Sequence, residues 1–156
     1  MKRIHKTNIK CYSGYMKIDI LLAELDKLNF PKDQYAITSS GVLAIRGIRE
    51  ANDLDILVTP KLWKELSQKY LERNSESKDI KIGNLHIFWE GSFDEQSSIA
   101  TVMEQINTAD TIKGYRFVNL ELAKRFKKVS GREKDKRDLE LIKNYEMAKN
   151  HPSEII

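Results

Sequence analysis

The sequence predicts an α/β or α+β fold in which helices pack on a small mixed β-sheet. Two patterns lead to this prediction: extended runs alternate with helical patterns along the chain, and two helical segments follow one another near its end. A third observation is continuity, since no repeat, linker or low-complexity stretch interrupts the 156 residues. We therefore expect a single domain over residues 1–156, with its core at about 15–145.

Each expected element has a local signal. Apolar residues at three- and four-residue spacings mark helices, and short β-branched or apolar runs bounded by Gly or Pro mark strands. In chain order we expect a helix at 15–29, a strand at 35–38, a short helix at 41–48, a strand at 53–59, a helix around 62–70, a bulged strand or hairpin at 80–89, a helix within 94–107, a strand at 115–118 and two closing helices. Ser40 is the expected cap of the short helix, and Ser130-x-x-Glu133 has the spacing of a capping box before the last helix.

Composition indicates a soluble globular protein with a modest positive charge. Apolar residues make up 40% and charged residues 32% of the chain, and the net charge is +4. That charge fits an anionic partner such as a nucleotide or RNA, although proteins with no nucleic-acid role carry it as well. The single cysteine, Cys11, excludes an internal disulfide, and no apolar run has the length of a signal peptide or membrane span. We expect a cytoplasmic protein that does not contact membranes.

A pair of aspartates is the first candidate for chemistry. Asp53-Leu54-Asp55 begins a predicted strand, where side chains two residues apart share a face, so both carboxylates point the same way and Leu54 faces the core. Such a pair suits Mg²⁺, or Mn²⁺, with substrate phosphates completing the coordination. The three histidines are isolated and lack the spacing of zinc ligands, so we expect ordinary surface or core histidines.

The turn Ser39-Ser40-Gly41, which follows the strand at 35–38, is the second candidate. Its backbone N–H groups lie at a helix start and can bind phosphate oxygens, and Gly41 lets the backbone approach a ligand where a Cβ would intrude. Taken singly, the turn is more often a simple helix cap and the aspartates a solvated strand end. Their combination indicates a metal and triphosphate site.

These residues resemble the polymerase-beta-like nucleotidyltransferases. That superfamily has an apolar strand, Gly-Ser or Gly-Gly, a spacer, and then Asp-x-Asp or Asp-x-Glu; this chain has Ala36-Ile37-Thr38-Ser39-Ser40-Gly41, then Val42 to Asn52, then Asp53-Leu54-Asp55. The order Ser-Ser-Gly departs from the usual Gly before Ser. The stretch from Gly41 to Arg49 is especially similar to small prokaryotic members, which include minimal nucleotidyltransferases and toxins of abortive-infection and toxin–antitoxin systems.

A second stretch, Lys127 to Leu139, is similar to a C-terminal Lys…Arg-x-Lys-Asp-x-x-Asp helix of many small members, so the resemblance spans about residues 35–142. It implies that Lys128, Arg132 or Lys134 neutralises phosphate charge. An ordinary capped and solvated helix explains this second stretch equally well.

Active members of the superfamily add a third carboxylate from a neighbouring strand, as a base or metal ligand. Our candidate is Glu90, which ends the run from His86 to Glu90 and would share a strand face with His86 if the strand is regular. Asp94 and Asp79 are the alternatives. A solvated residue at the strand end is an equally good interpretation of Glu90.

The resemblance implies an enzyme that transfers a nucleoside monophosphate from a nucleoside triphosphate to an acceptor. Asp53, Asp55 and Glu90 would be its catalytic residues, and Ser39, Ser40 and Gly41 would bind the triphosphate. RNA ends, protein side chains and small molecules are all acceptors in the superfamily, and the absence of an appended acceptor domain hints at a partner protein or a small acceptor. Two alternatives stay open: a degenerate relative that binds nucleotide or regulates a partner without catalysis, and a small RNA-binding protein using the basic residues of 124–137.

Overall fold

The computed structural model of the protein describes residues 13–150, and in that range six strands form one mixed sheet. In chain order the strands are β1 (Tyr35–Thr38), β2 (Leu54–Val58), β3 (Asp79–Ile82), β4 (Leu85–Phe88), β5 (Asp110–Ile112) and β6 (Tyr115–Phe117). They lie in the order β3-β4-β2-β1-β6-β5, so β2 and β1 occupy the middle of the sheet. β2 is antiparallel to β1 and parallel to β4.

Six helices lie in the described range, and they cover both faces of the sheet. In chain order they are α1 (Ser13–Asp26), α2 (Ser40–Ala44), α3 (Pro60–Tyr70), α4 (Val102–Asn107), α5 (Leu120–Ser130) and α6 (Glu133–Asn150). α1 and α3 pack on one face through residues such as Leu21 and Leu62, and α4 and α6 pack on the other through Ile106 and Ile142. The predicted fold class, a small mixed sheet with flanking helices, is confirmed. None of the described helices is both long and apolar enough to span a bilayer.

Alternation along β2 explains why the sheet has two cores. Leu54, Ile56 and Val58 are fully buried on the face that α1 and α3 cover. Asp55 and Leu57 alternate with them and point to the opposite face, where Leu57 joins the second core. Asp55 is thereby held in a rigid strand at the border of a packed layer, as its place in the sequence predicts.

The structure corrects several element boundaries. The sequence does not predict β5, because a three-residue strand with two exposed polar side chains gives no apolar pattern. The helix expected within 94–107 is reduced to α4. Ser130 does not cap α6, since it is the last residue of α5, which ends at Gly131 in the left-handed conformation. Ser40 is not a cap either: it is the first residue of α2, and Ser39 precedes it.

Candidate functional site

Asp55 lies in the middle of the sheet, at the centre of the candidate site. Its register partners are Thr38 on β1 and His86 on β4. Its side chain is 27% exposed, on the same face as Leu57. Asp53 lies just before β2 and is exposed, and its carboxylate is near enough for its charge to act on Asp55. The structure therefore brings together the two aspartates that the sequence predicts to bind a metal.

The surroundings of Asp55 disfavour its negative charge. Burial raises the pKa of the Asp55 carboxyl above its usual value, and the charge of Asp53 raises it further. His86, a hydrogen bond with Ser39 and the charge of Lys134 act in the opposite direction without cancelling the effect. A cation between the two carboxylates relieves their repulsion, so the pair is suited to a positively charged ligand.

The turn after β1 contains a strained residue. Ser39 has φ 56° and ψ −132°, a conformation that glycine adopts readily and residues with a Cβ rarely adopt. Ser39 directly follows Thr38, the register partner of Asp55, so the strained turn lies beside Asp55. Strain at such a position is commonly retained for function.

Gly41 has a different role from the one that the sequence suggests. A Cβ at this position would lie 2.5 Å from Cγ2 of Ile37 and 3.2 Å from Cδ2 of Leu54, both in the core. Glycine is therefore required at position 41 by packing between α2 and the sheet. Within this turn, Ser39 is the residue whose backbone has a conformation typical of glycine.

A cleft of about 300 Å³ opens beside this turn. Ser39 lines it from the sheet side, and Lys127 and Arg132 line it from α5 and the loop before α6. Phe93 and Phe126 also line it and are shared with a neighbouring cavity of about 120 Å³. The cleft thus combines hydroxyl and cationic groups with an aromatic region.

An ion-pair network fixes the cationic wall of the cleft. Asp138 is buried and accepts hydrogen bonds from Arg49 Nε at 2.7 Å and Nη2 at 3.0 Å, and from Lys127 Nζ at 2.9 Å. Asp135, also buried, accepts from Arg132 Nε at 2.8 Å. Burial raises the pKa of Asp138, but hydrogen bonds from Arg49 and Lys127 outweigh it and hold that pKa below its usual value. The stretch from Lys127 to Leu139 is therefore not a simple solvated helix. Its two buried aspartates form ion pairs that connect α5, α6 and the segment after α2.

His86 lies between two carboxylates. Its Nδ1 is 3.7 Å from Oδ1 of Asp55, and its Nε2 forms a hydrogen bond with Oδ2 of Asp79. That hydrogen bond holds the pKa of Asp79 below its usual value. Phe88 packs against the imidazole, with ring centroids 4.1 Å apart, and limits its rotation. His86 therefore lies beside the candidate site, at a position where the sequence predicts an ordinary surface or core histidine.

Glu90 lies apart from the aspartate pair. β4 ends at Phe88, so Glu90 does not continue the strand face of His86; it begins a 3₁₀ turn and accepts a hydrogen bond from Gln96 at 3.3 Å. It lines the neighbouring cavity instead of the cleft. The sequence misplaces Glu90 because the strand is shorter than its apolar run. The residue of β4 opposite Asp55 is His86, and Asp94 is exposed and paired with Lys78.

The three basic residues that the sequence predicts to bind phosphate lie in different places in the structure. Lys134 acts on Asp55 through its charge, and Arg132 lines the cleft while paired with Asp135. Lys128 lies in a groove between α5 and α6, so Lys127 takes its expected place in the cleft. On a helix, neighbouring residues point about 100° apart, which explains the difference.

The donor set fits a divalent cation bound together with phosphate. Within residues 13–150, no three His, Cys, Asp or Glu side chains converge as a complete metal-binding group. Mg²⁺ at phosphate-transfer sites usually takes only one or two protein carboxylates and completes its shell with phosphate oxygens and water. Asp53 and Asp55 supply that number, in a position where a positive charge is favoured.

No protein-family model, curated protein or solved structure matches this chain. The interpretation therefore depends on its own residues. The sequence alone does not identify two residues near the candidate site. The position of His86 opposite Asp55 depends on strand register, and the sequence does not distinguish Lys127 from Lys128. The sequence carries no signal for the register of β4 against β2, since the two strands are far apart in the chain.

Proposed function

We propose that this protein binds a nucleoside triphosphate with a divalent cation and transfers the nucleoside monophosphate to an acceptor, with release of pyrophosphate and of the acceptor's proton. The observation that carries the proposal is the position of Asp55 beside the strained Ser39, which itself lines a cleft with Lys127 and Arg132. The resemblance of residues 35–55 to the polymerase-beta-like nucleotidyltransferases supports the same function. These residues do not indicate which class of acceptor receives the nucleotide.

The acidic and the basic residues would have different roles in binding. Asp53 and Asp55 would hold the cation, which supplies neutralisation of charge on the triphosphate and alignment of its reacting phosphorus. Arg132 would add positive charge in the cleft, where Ser39 offers a hydroxyl, and Lys134 would add positive charge near Asp55. Arg132 is held in advance by its ion pair with the buried Asp135, so it needs little reorganisation on binding.

The cleft has the size and lining for one nucleotide. Its volume of about 300 Å³ is at the lower end of small-molecule sites. Phe93 and Phe126 provide aromatic surface for a base, while Ser39 and Arg132 provide polar surface for phosphates. The neighbouring cavity, which contains Glu90, leaves additional room beside the aromatic region.

Transfer of a labelled nucleotide tests the proposal. The protein is incubated with each of four α-labelled nucleoside triphosphates, Mg²⁺ or Mn²⁺, and a cell extract, and the label is followed in RNA, protein and small-molecule fractions. We expect transfer with wild type and background with Asp53→Asn or Asp55→Asn. Asp110→Asn, an exposed carboxylate at the far edge of the sheet, is the matched control and should transfer normally. Undiminished labelling by both site variants would refute the assignment.

A second function is nucleotide binding without transfer. It is favoured by one observation: the residue of β4 opposite Asp55 is His86, where active members of the resembling superfamily place a carboxylate. In that case triphosphate with Mg²⁺ raises the melting temperature of wild type but not of Asp55→Asn, and no fraction becomes labelled. Labelling by wild type excludes this alternative.

A further inference from the structure

His86 presents one ring nitrogen to Asp79 and the other to Asp55. A histidine that binds a metal ion is neutral, so with Asp79 accepting the hydrogen bond from Nε2, the nitrogen available to a metal is Nδ1. Nδ1 lies 3.7 Å from Oδ1 of Asp55, which is beyond hydrogen-bonding distance. In the neutral, metal-binding form of His86, two acceptor atoms therefore face one another across this gap.

The gap has the width that a shared metal ion requires. Two donor atoms that each lie about 2.1 Å from one ion are about 3.0 Å apart at a right angle and about 4.2 Å apart in line. The separation of 3.7 Å falls between these limits. Histidines that bind metal usually donate their other N–H to a carboxylate, which fixes the ring and raises its basicity. Asp79 fills that role for His86, and Phe88 restricts the ring further.

We propose that Nδ1 of His86 is a direct ligand of the divalent cation held by Asp55, and that the site prefers a first-row transition-metal ion to Mg²⁺. This inference rests on the metal-binding part of the proposed function. Mg²⁺ favours oxygen donors, whereas imidazole nitrogen suits zinc, copper, iron and nickel. The strand register supplies the cause, since it sets His86 directly opposite Asp55.

Pulsed EPR of bound Mn²⁺ tests the inference without measuring activity. Mn²⁺ is added to the full-length protein, alone and with a nonhydrolysable nucleoside triphosphate, and coupling to imidazole ¹⁴N is recorded. We expect this coupling in wild type and its loss in His86→Asn, together with a fall in Mn²⁺ affinity of at least about tenfold. A much smaller change is expected for Mg²⁺. The double variant His5→Asn/His151→Asn replaces the other two histidines and should keep the coupling.

Asp79→Asn is the second variant, because it keeps the size of the side chain and removes only the charge that orients His86. It should lower Mn²⁺ affinity by about 10–100-fold, with folding checked by circular dichroism. Mn²⁺ bound at Asp55 without nitrogen coupling in wild type overturns the inference and leaves the proposed function standing. A wild type that binds no Mn²⁺ under either condition overturns both.

Discussion

The Asp135 carboxylate gives a quantitative test of the network that positions the cleft. It is 1% exposed and accepts hydrogen bonds from Arg132 through Nε at 2.8 Å, Nη2 at 3.3 Å and the main-chain N–H at 3.2 Å. The Arg132 side chain is the largest cause that lowers the pKa of Asp135, from 3.8 to about 2. The native state therefore favours the ionised carboxylate, and Asp135→Asn removes that preference.

The size of the effect follows from this pKa. A native value of about 2 against 3.8 in the unfolded chain corresponds to about 2 kcal/mol of stability at neutral pH. The Arg132 side chain is 60% exposed, so solvent screening reduces the expected loss in Asp135→Asn to about 1–2 kcal/mol. That loss lowers Tm by about 2–8 °C.

The pH dependence distinguishes this mechanism from a simple packing defect. Between the two pKa values the unfolded chain binds more protons than the native state, so the stabilisation is complete above about pH 5 and disappears as the pH falls towards 2. Thermal melts followed by circular dichroism should show nearly the same wild-type advantage at pH 7 and 5, a smaller one at pH 4 and the smallest at pH 3. Asp110→Asn, whose ion pair with Arg46 is long and exposed, should change Tm little. A gap between wild type and Asp135→Asn that is zero at pH 7, or the same at every pH, would refute the reasoning.

Three further variants test the segment from β1 through α2 to β2, each by urea or thermal unfolding of the metal-free protein. Ser39→Gly should raise the free energy of unfolding by about 1 kcal/mol, because glycine relieves the strained φ and ψ; a loss of stability would contradict the strain. Gly41→Ala should lower it by about 1–3 kcal/mol, since its Cβ meets Ile37, and an unchanged value would contradict that packing. Asp55→Asn should raise Tm at pH 7, because the pKa of Asp55 is raised in the native state and ionisation there costs stability. That advantage should vanish once the pH falls well below 4 and wild-type Asp55 is protonated; a lower Tm than wild type at pH 7 would contradict the account.

Local patterns in the sequence are enough to predict the central unit of the fold. The strand at 35–38, the turn at Ser39, α2 and β2 follow one another between residues 35 and 58, and alternation along β2 alone determines which of its side chains face the core. The aspartate pair could therefore be placed on one face of a strand without a structure.

Contacts between distant segments could not be predicted in the same way. The pairing of His86 with Asp55 depends on the register of β4 against β2, and Glu90 leaves the strand because β4 ends two residues earlier. The burial of Asp135 and Asp138 likewise depends on how α5 and α6 pack, which the charged sequence of residues 127–139 does not reveal. Charged residues in a helix usually face solvent, so a buried pair of aspartates contradicts the usual pattern.

Calorimetric titration with a nonhydrolysable nucleoside triphosphate is the most direct test of the central claim, that Asp53, Asp55 and the Ser39 turn form one metal and triphosphate site. Wild type should bind the analogue in the presence of a divalent cation and lose that binding in EDTA, because the aspartates repel phosphate when no cation lies between them. Asp55→Asn should show no cation-dependent binding while remaining folded, and Asp110→Asn should bind as wild type does. Binding of equal strength in wild type and Asp55→Asn, or binding that EDTA leaves unchanged, would contradict the account.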